Sequence, residues 1–173
     1  MYRLVPPPSP TSGYRPEFLD VVSYYELRHT SLAESMPAEK YSWRLAERTL
    51  SVGELIASVA GGNVLNKRTL EGPLKPGVGY AVSSENVVRN AMAQANDKNK
   101  VLQRLRDLSS TTLCSSASLS FKRRTSRRIK DTTIRGSFLL IATNWGQQLG
   151  QLIAYARMNG IALPSVDDSQ LTT

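Results

Sequence analysis

The chain has 173 residues, a net charge of +8, and ordinary contents of hydrophobic (40%) and charged (21%) residues, which together predict one globular domain. No apolar run approaches the roughly 20 residues that a transmembrane helix needs, and the N-terminus lacks the apolar core of a secretory signal, so neither a membrane span nor a secretory leader is expected. The lone cysteine, Cys114, cannot form an internal disulfide, which favours a cytoplasmic protein.

Prolines dominate the start of the chain, so we expect residues 1–15 to form an extended lead-in. A single domain over residues 16–164 and a flexible tail over 165–173 follow. The first helix is predicted from Pro16 to Met36, because Pro37 restricts the residue before it and ends the helix. Its apolar stripe recurs at helical spacing through Phe18, Val22, Tyr25, His29, Leu32 and Met36.

The second helix is predicted to begin at Ser51, which forms a capping box with Glu54, and to run to about Lys67. Ser58 lies at the edge of its buried face. The connection before it carries Tyr41 and Trp43, whose aromatic rings we expect between the helices.

A third helix is predicted from Glu85 to Leu108, followed by a hydroxyl-rich turn region from Ser109 to Ser120. Six positive and no negative charges then fall within nine residues, and outside this cluster the net charge is only +2. We expect a short hairpin or an irregular loop there. Contact with phosphates is possible, although a solvated loop is the simpler interpretation. The basic cluster consists of Lys122, Arg123, Arg124, Arg127, Arg128 and Lys130.

The last helix is predicted between Thr133, a plausible N-cap, and Gly160. Beside its apolar stripe lie Asn144 and Gln148, one helical turn apart, so their carboxamides project together. Four amphipathic helices with at least one long connection predict an all-α four-helix bundle with a long crossover and an irregular basic loop before the last helix. The stripe consists of Phe138, Ile141, Trp145, Leu149, Leu152 and Ala156.

Two segments resemble the DinB-like (DinB/YfiT-like) superfamily: AESMPAEKYSWRLAERTLSVGELIASVAGGN and GSFLLIATNWGQQLGQLIAYARMNGIALP. The resemblance implies a four-helix bundle in which three histidines, one from the second helix and two from the last, hold zinc or nickel. Similar proteins include thiol-dependent transferases and hydrolases, and homodimers are common among them.

Ser58, Asn144 and Gln148 stand where the resemblance places the three histidines, and Gln147 replaces the glutamate beside the third. A hydroxyl and two neutral carboxamides are weak donors for transition metals. The sequence therefore predicts a degenerate metal site without a cofactor. The alternative is zinc or nickel held by an unorthodox set drawn from these amides with His29 and Glu54.

His29 and Trp43 complete the candidate pocket, and each has a structural interpretation beside the functional one. His29 could be a substitute ligand or general base, but a core histidine with one hydrogen bond is favoured. Trp43 could wall a ligand site, but closing the core is the more common role of such an aromatic ring.

The sequence thus favours a binding protein without a catalytic role. A divalent-metal-dependent thiol S-transferase or hydrolase is the alternative, and a nucleic-acid-associated protein that uses the basic cluster is the second alternative. A homodimer is expected from the resemblance alone.

Overall fold

The computed structural model describes residues 14–60, 92–115, 124–125 and 132–165. Residues 1–13 of the expected lead-in and 166–173 of the expected tail lie outside these ranges, whereas Tyr14 and Arg15, expected in the lead-in, are helical. Within the described ranges the chain forms four helices, and the prediction of an all-α bundle is confirmed. The helices are α1 (Tyr14–Ser35), α2 (52–60, as far as it is described), α3 (Lys98–Ser115) and α4 (Ile134–Met158). A single 3₁₀ turn, Ala38–Lys40, follows α1.

The apolar stripes predicted for the first and last helices form the core between α1 and α4. All six stripe residues of α4 are buried, as are those of α1 except Tyr25, which is half-buried. The Tyr14 hydroxyl donates to the carbonyl of Arg135 (3.1 Å), where both helices begin. Further along, the His29 and Trp145 rings meet at 5.1 Å. Residues later in α1 contact residues later in α4, so the two helices are parallel neighbours.

The capping box that starts α2 is present as predicted. The Ser51 backbone N–H donates to Glu54 Oε2 (2.7 Å), and the Glu54 N–H donates to Ser51 Oγ (3.2 Å). The start of α2 lies against the end of α4, because the Tyr155 hydroxyl donates to the carbonyl of Leu50 (3.1 Å). α2 therefore runs antiparallel to α4.

The predicted third helix is interrupted and ends later than expected. Met92 is helical, residues 93–96 form a turn, and α3 begins at Lys98, where Asp97 accepts the Lys100 N–H (3.2 Å) as an N-cap. It continues to Ser115, so the part of the hydroxyl-rich region up to that residue is helical. Extending an existing helix costs far less than starting one, and weak propensity does not end it. Residues 61–91, including the first part of the predicted helix, lie outside the described ranges.

The end of α1 is joined to the start of α3 by one lysine. Lys98 Nζ donates to the carbonyls of Glu34 and Met36, each at 2.7 Å. These carbonyls lack helical partners at the C-terminus of α1, where the helix dipole also favours a cation. α2 and α3 consequently begin at the same end of the bundle, which is the arrangement that the predicted long crossover requires.

The last helix ends as the sequence predicts. Gly160 adopts a left-handed conformation (φ 68°), which glycine reaches without a Cβ penalty. The Ile161 N–H donates to Ala156 O (2.9 Å) and the Gly160 N–H to Arg157 O (3.1 Å), the two bonds of a Schellman motif. The chain then turns back along the bundle, where Arg28 donates to Pro164 O (3.2 Å).

A two-stranded antiparallel ribbon precedes α4, with Arg124–Thr125 (β1) paired to Thr132–Thr133 (β2). It agrees with the short hairpin expected around the basic cluster. In the part of the chain that the structure describes, no helix combines the length and apolarity needed to cross a bilayer.

Candidate functional site

The seam between α2 and α4 brings Ser58 and Gln148 together. Ser58 Oγ lies 3.5 Å from Gln148 Oε1, at the outer limit of a hydrogen bond, and also donates to Leu55 O at 2.7 Å. Both side chains are half-buried. The hydroxyl is thus committed mainly to its own helix, and the carboxamide of Gln148 is held only loosely.

Asn144 lies one turn before Gln148 on α4 and is half-buried as well. The other described residues make no hydrogen bond with its side chain. A carboxamide offers two N–H donors and a carbonyl acceptor, so Asn144 presents an unused set of neutral polar groups beside the Ser58–Gln148 contact. Helical spacing therefore places Asn144 on the same side of α4 as Gln148, one turn from the contact with Ser58.

His29 is buried in α1, with 1% of its surface exposed. Its Nδ1 lies 2.8 Å from the carbonyl of Tyr25, and because a carbonyl only accepts, Nδ1 carries the proton and Nε2 is the acceptor. Nε2 is buried without a hydrogen-bond partner. Burial lowers the pKa of His29 to about 4, while the hydrogen bond to Tyr25 opposes that shift. His29 is therefore neutral at pH 7, with the single hydrogen bond of a core histidine.

The two loop aromatics, Tyr41 and Trp43, each have a contact of their own. Tyr41 is fully buried and donates from its hydroxyl to Ala33 O (2.9 Å). Trp43 is half-buried and meets Tyr155 edge to face, with ring centroids 5.2 Å apart. Tyr155 is itself buried in this contact. Both rings pack in the structural role favoured for them, between the loop and the bundle.

Glu54 is the nearest acid to Ser58 on α2, and it is already engaged. Its carboxylate accepts the Ser51 N–H of the capping box and pairs with Arg44 at 3.3 Å. Using it as a metal ligand would break both interactions. The alternative metal site that includes Glu54 would therefore require a carboxylate that already caps the start of α2.

The residues at the seam do not fit zinc or nickel. Zinc in proteins is bound by imidazole, thiolate or carboxylate, whereas Ser58, Asn144 and Gln148 supply a hydroxyl and two neutral amides. His29 points its protonated nitrogen at a backbone carbonyl and packs on Trp145. Across the described ranges, no three His, Cys, Asp or Glu side chains come close enough together to hold a metal ion.

Of the basic cluster, Arg124 alone falls within the described residues, in strand β1 opposite Thr133. Lys122, Arg123, Arg127, Arg128 and Lys130 lie outside them. Phosphate contact by this cluster stays a prediction from the sequence.

Sequence reasoning missed two contacts that shape this region. Trp145 was assigned only to the core stripe, yet its ring is the direct neighbour of the one histidine. Tyr25 lies against Gly146, where an added Cβ would be 3.0 Å from the tyrosine hydroxyl oxygen. The glycine was the available signal, since a glycine inside a helix often marks the close approach of a neighbour.

Two solved structures have the same architecture. The DinB-like protein YjoA from Bacillus subtilis superimposes with a TM-score of 0.63 at 15% sequence identity, covering 86% of this chain and 96% of that one. A DinB-like protein from Bacillus cereus gives 0.65 at 12% identity, covering 87% and 95%. No protein-family model and no curated protein matches the sequence. At these identities the likeness establishes the fold.

Proposed function

We propose that this chain, a bundle of the DinB-like fold, is a non-catalytic binding protein whose seam between α2 and α4 works without a divalent metal. The observation that supports the proposal is the set of neutral polar groups formed by Ser58, Asn144 and Gln148. Ser58 Oγ and Gln148 Oε1 lie 3.5 Å apart. The ligand that suits such a seam is small, uncharged and able to donate and accept hydrogen bonds, as an amide or an alcohol does.

Electrostatics supports a neutral ligand. A charged group at a half-buried seam needs an opposite charge to offset its desolvation. Glu54, the nearest acid on α2, is paired with Arg44, and His29 is uncharged at pH 7. The carboxamide of Asn144, which no other described residue bonds, can satisfy a neutral amide or hydroxyl at no such cost.

A metal-dependent thiol S-transferase or hydrolase is the competing function, and metal content distinguishes the two. We expect protein purified without a histidine tag to contain no stoichiometric zinc or nickel by mass spectrometry, and its melting temperature to be unchanged by EDTA. Stoichiometric metal that is lost from Asn144→Ala/Gln148→Ala would overturn the proposal.

A variant that restores the histidines provides the positive control. Ser58→His/Asn144→His/Gln148→His should bind zinc and gain about 2.7 kcal/mol of stability at a zinc concentration 100 times Kd, because a ligand of the folded state stabilises it by mass action. Gln148→His alone is the matched control, since one imidazole does not make a site. If zinc raises the melting temperature of the triple variant but not that of Gln148→His, the identity of these three side chains is what distinguishes this seam from a metal site.

The neutral-ligand prediction has its own measurement. In a ¹⁵N-labelled sample, acetamide should shift the side-chain amide resonances of Asn144 and Gln148 with a Kd of about 10 mM or weaker, as its four heavy atoms allow. Acetate and methylammonium should leave them unchanged. Asn144→Leu should abolish the shift at Gln148, whereas Thr143→Leu, one residue away on the exposed face, should preserve it. Equal responses to charged and neutral probes, or none to acetamide, would contradict the assignment.

A further inference from the structure

We infer that the outer face of α4 is a docking surface for a membrane with negatively charged lipid headgroups. This outer face is defined by exposed positions that recur three or four residues apart, opposite the stripe buried against α1. A helix that lies in the plane of a membrane surface buries an apolar face at the headgroup boundary and gains further affinity from nearby basic residues. The larger side chains of the outer face are those of Leu139, Leu140, Thr143, Gln147, Gln151 and Met158.

The outer face carries no charge along almost the whole helix. From Gly136 to Ala156 no residue is charged, although 21% of the chain is charged. The solvent side of a surface helix normally carries charged residues. Without them, no ion has to lose its hydration when the outer face is covered, so a partner can cover it without supplying an opposite charge along its length.

Large apolar side chains lie at both ends of the outer face. Leu139 is 55% exposed, Leu140 46% and Met158 58%. Leu140 and Met158 are 18 residues apart, which is five helical turns, so their side chains project in the same direction about 27 Å from each other. A flat partner contacts both of them at once, and a membrane surface is flat over that length.

Positive charge flanks the outer face. Arg135 is exposed in the first turn of α4 and Arg157 in its last. Strand β2 leads directly into α4, and Arg124 of β1 is paired with Thr133 of β2. Residues 122–135 contain seven positive charges and one negative, so this stretch of the sequence holds +6 of the net charge of +8. Most of the net charge is therefore placed in the sequence at the start of α4.

An anionic lipid surface suits both the charge and the apolar side chains. Each Lys or Arg close to such a surface strengthens binding about fivefold. An apolar face sinks about 5–10 Å into the boundary between headgroups and acyl chains, which takes up leucine and methionine side chains. A nucleic acid offers phosphates to the arginines but no apolar layer to Leu139, Leu140 and Met158. The exposed apolar side chains are therefore what favours a lipid surface.

Sedimentation of the full chain with lipid vesicles tests the inference. We expect binding to phosphatidylcholine vesicles that contain phosphatidylserine, with half of the protein bound at about 0.1 mM lipid, the affinity of a single myristoyl chain. Vesicles of phosphatidylcholine alone should bind about tenfold more weakly. Added salt should weaken binding to the anionic vesicles, because it screens the charge of the headgroups.

Two double variants separate the apolar and the basic contributions. Leu140→Gln/Met158→Gln removes the two aligned apolar side chains and should weaken binding to the anionic vesicles about tenfold or more. Arg135→Gln/Arg157→Gln should weaken it by a similar factor. Glutamine has nearly the same helix propensity as the residues that it replaces, so both variants should fold, which circular dichroism checks.

Val21→Gln/Leu45→Gln is the matched control. It removes apolar side chains of similar exposure (42% and 51%) from α1 and from the loop before α2, and should bind the anionic vesicles as wild type does. Failure of the wild-type chain to bind these vesicles would overturn the inference, and binding to a single-stranded oligonucleotide alone would assign the positive charge to nucleic-acid contact. Vesicle binding that Leu140→Gln/Met158→Gln leaves unchanged would also overturn it, because basic residues alone would then account for the binding.

Discussion

Gly53→Ala should destabilise the bundle by about 3 kcal/mol or more, which is roughly 10 °C in melting temperature for a chain of this size. A Cβ at this position would lie 1.8 Å from the carbonyl oxygen of Ala95 and 2.8 Å from its carbonyl carbon. Both are backbone atoms, so no side chain can rotate out of the way. The turn at 93–96 must move off the start of α2, and the Gly53 N–H bond to Tyr41 O (2.9 Å) moves with it.

Whether Gly53→Ala raises or lowers the free energy of unfolding shows whether packing or helix propensity dominates at this position. Alanine is the better helix former by about 1 kcal/mol, so propensity alone predicts that Gly53→Ala stabilises. Gly150→Ala is the matched control, because it makes the same change in an open environment and should stabilise by about 0.5–1 kcal/mol. Urea unfolding at low micromolar concentration measures both, and equal effects would show that α2 and the turn do not pack as described.

His29 should make stability fall with pH below about 6.5. Its pKa is about 4 in the folded chain and about 6.5 when unfolded, so between these values the unfolded state binds more protons and the free energy of unfolding decreases as pH falls. The full loss is about 3 kcal/mol and is complete below about pH 4. The physical cause is the burial of an imidazole beside Trp145, where a charged ring has no partner for Nε2.

The chain contains one histidine, which makes the comparison clean. Urea unfolding of wild type and His29→Gln from pH 4 to 8 should give curves with a constant difference above about pH 6.5 that diverge below it. Carboxylates titrate in both proteins and cancel in the difference. If His29→Gln does not fold, His29→Phe keeps an aromatic ring against Trp145. Parallel curves down to pH 4 would mean that His29 is not buried as described.

Local chemistry explains which parts of the fold could be predicted. Ser51 and Glu54 satisfy each other within one helical turn, and Gly160 ends α4 through its own conformation, so both signals are complete in a few residues. The break at 93–97 was missed because apolar spacing continues smoothly from Ala91 through Ala95, whereas the cap at Asp97 sets where α3 begins. Asn96 and Asp97 could have indicated this start, because asparagine and aspartate are favoured as helix N-caps.

The candidate site was predictable only as a list of residues. Helical periodicity placed Asn144 and Gln148 on one face and Ser58 at the edge of another, and the structure brings Ser58 and Gln148 together. Periodicity cannot show how a polar group is satisfied, because its partner lies on a different helix. The unpartnered Nε2 of His29 depends on packing between helices far apart in sequence, and so does the carboxamide of Asn144, which has no hydrogen-bond partner among the described residues.

The parallel pairing of α1 with α4 has a consequence for how the chain reaches its native state. Tyr14 and Arg135 are 121 positions apart, and at a synthesis rate of about 5–20 residues per second the interval between them is about 6–24 s. Throughout that interval the apolar stripe of α1 has been made but its main partner has not. The nascent chain therefore exposes the apolar stripe of α1 for longer than it would if neighbouring helices followed one another, and α4, the last of the described helices, is the one that completes the core between them.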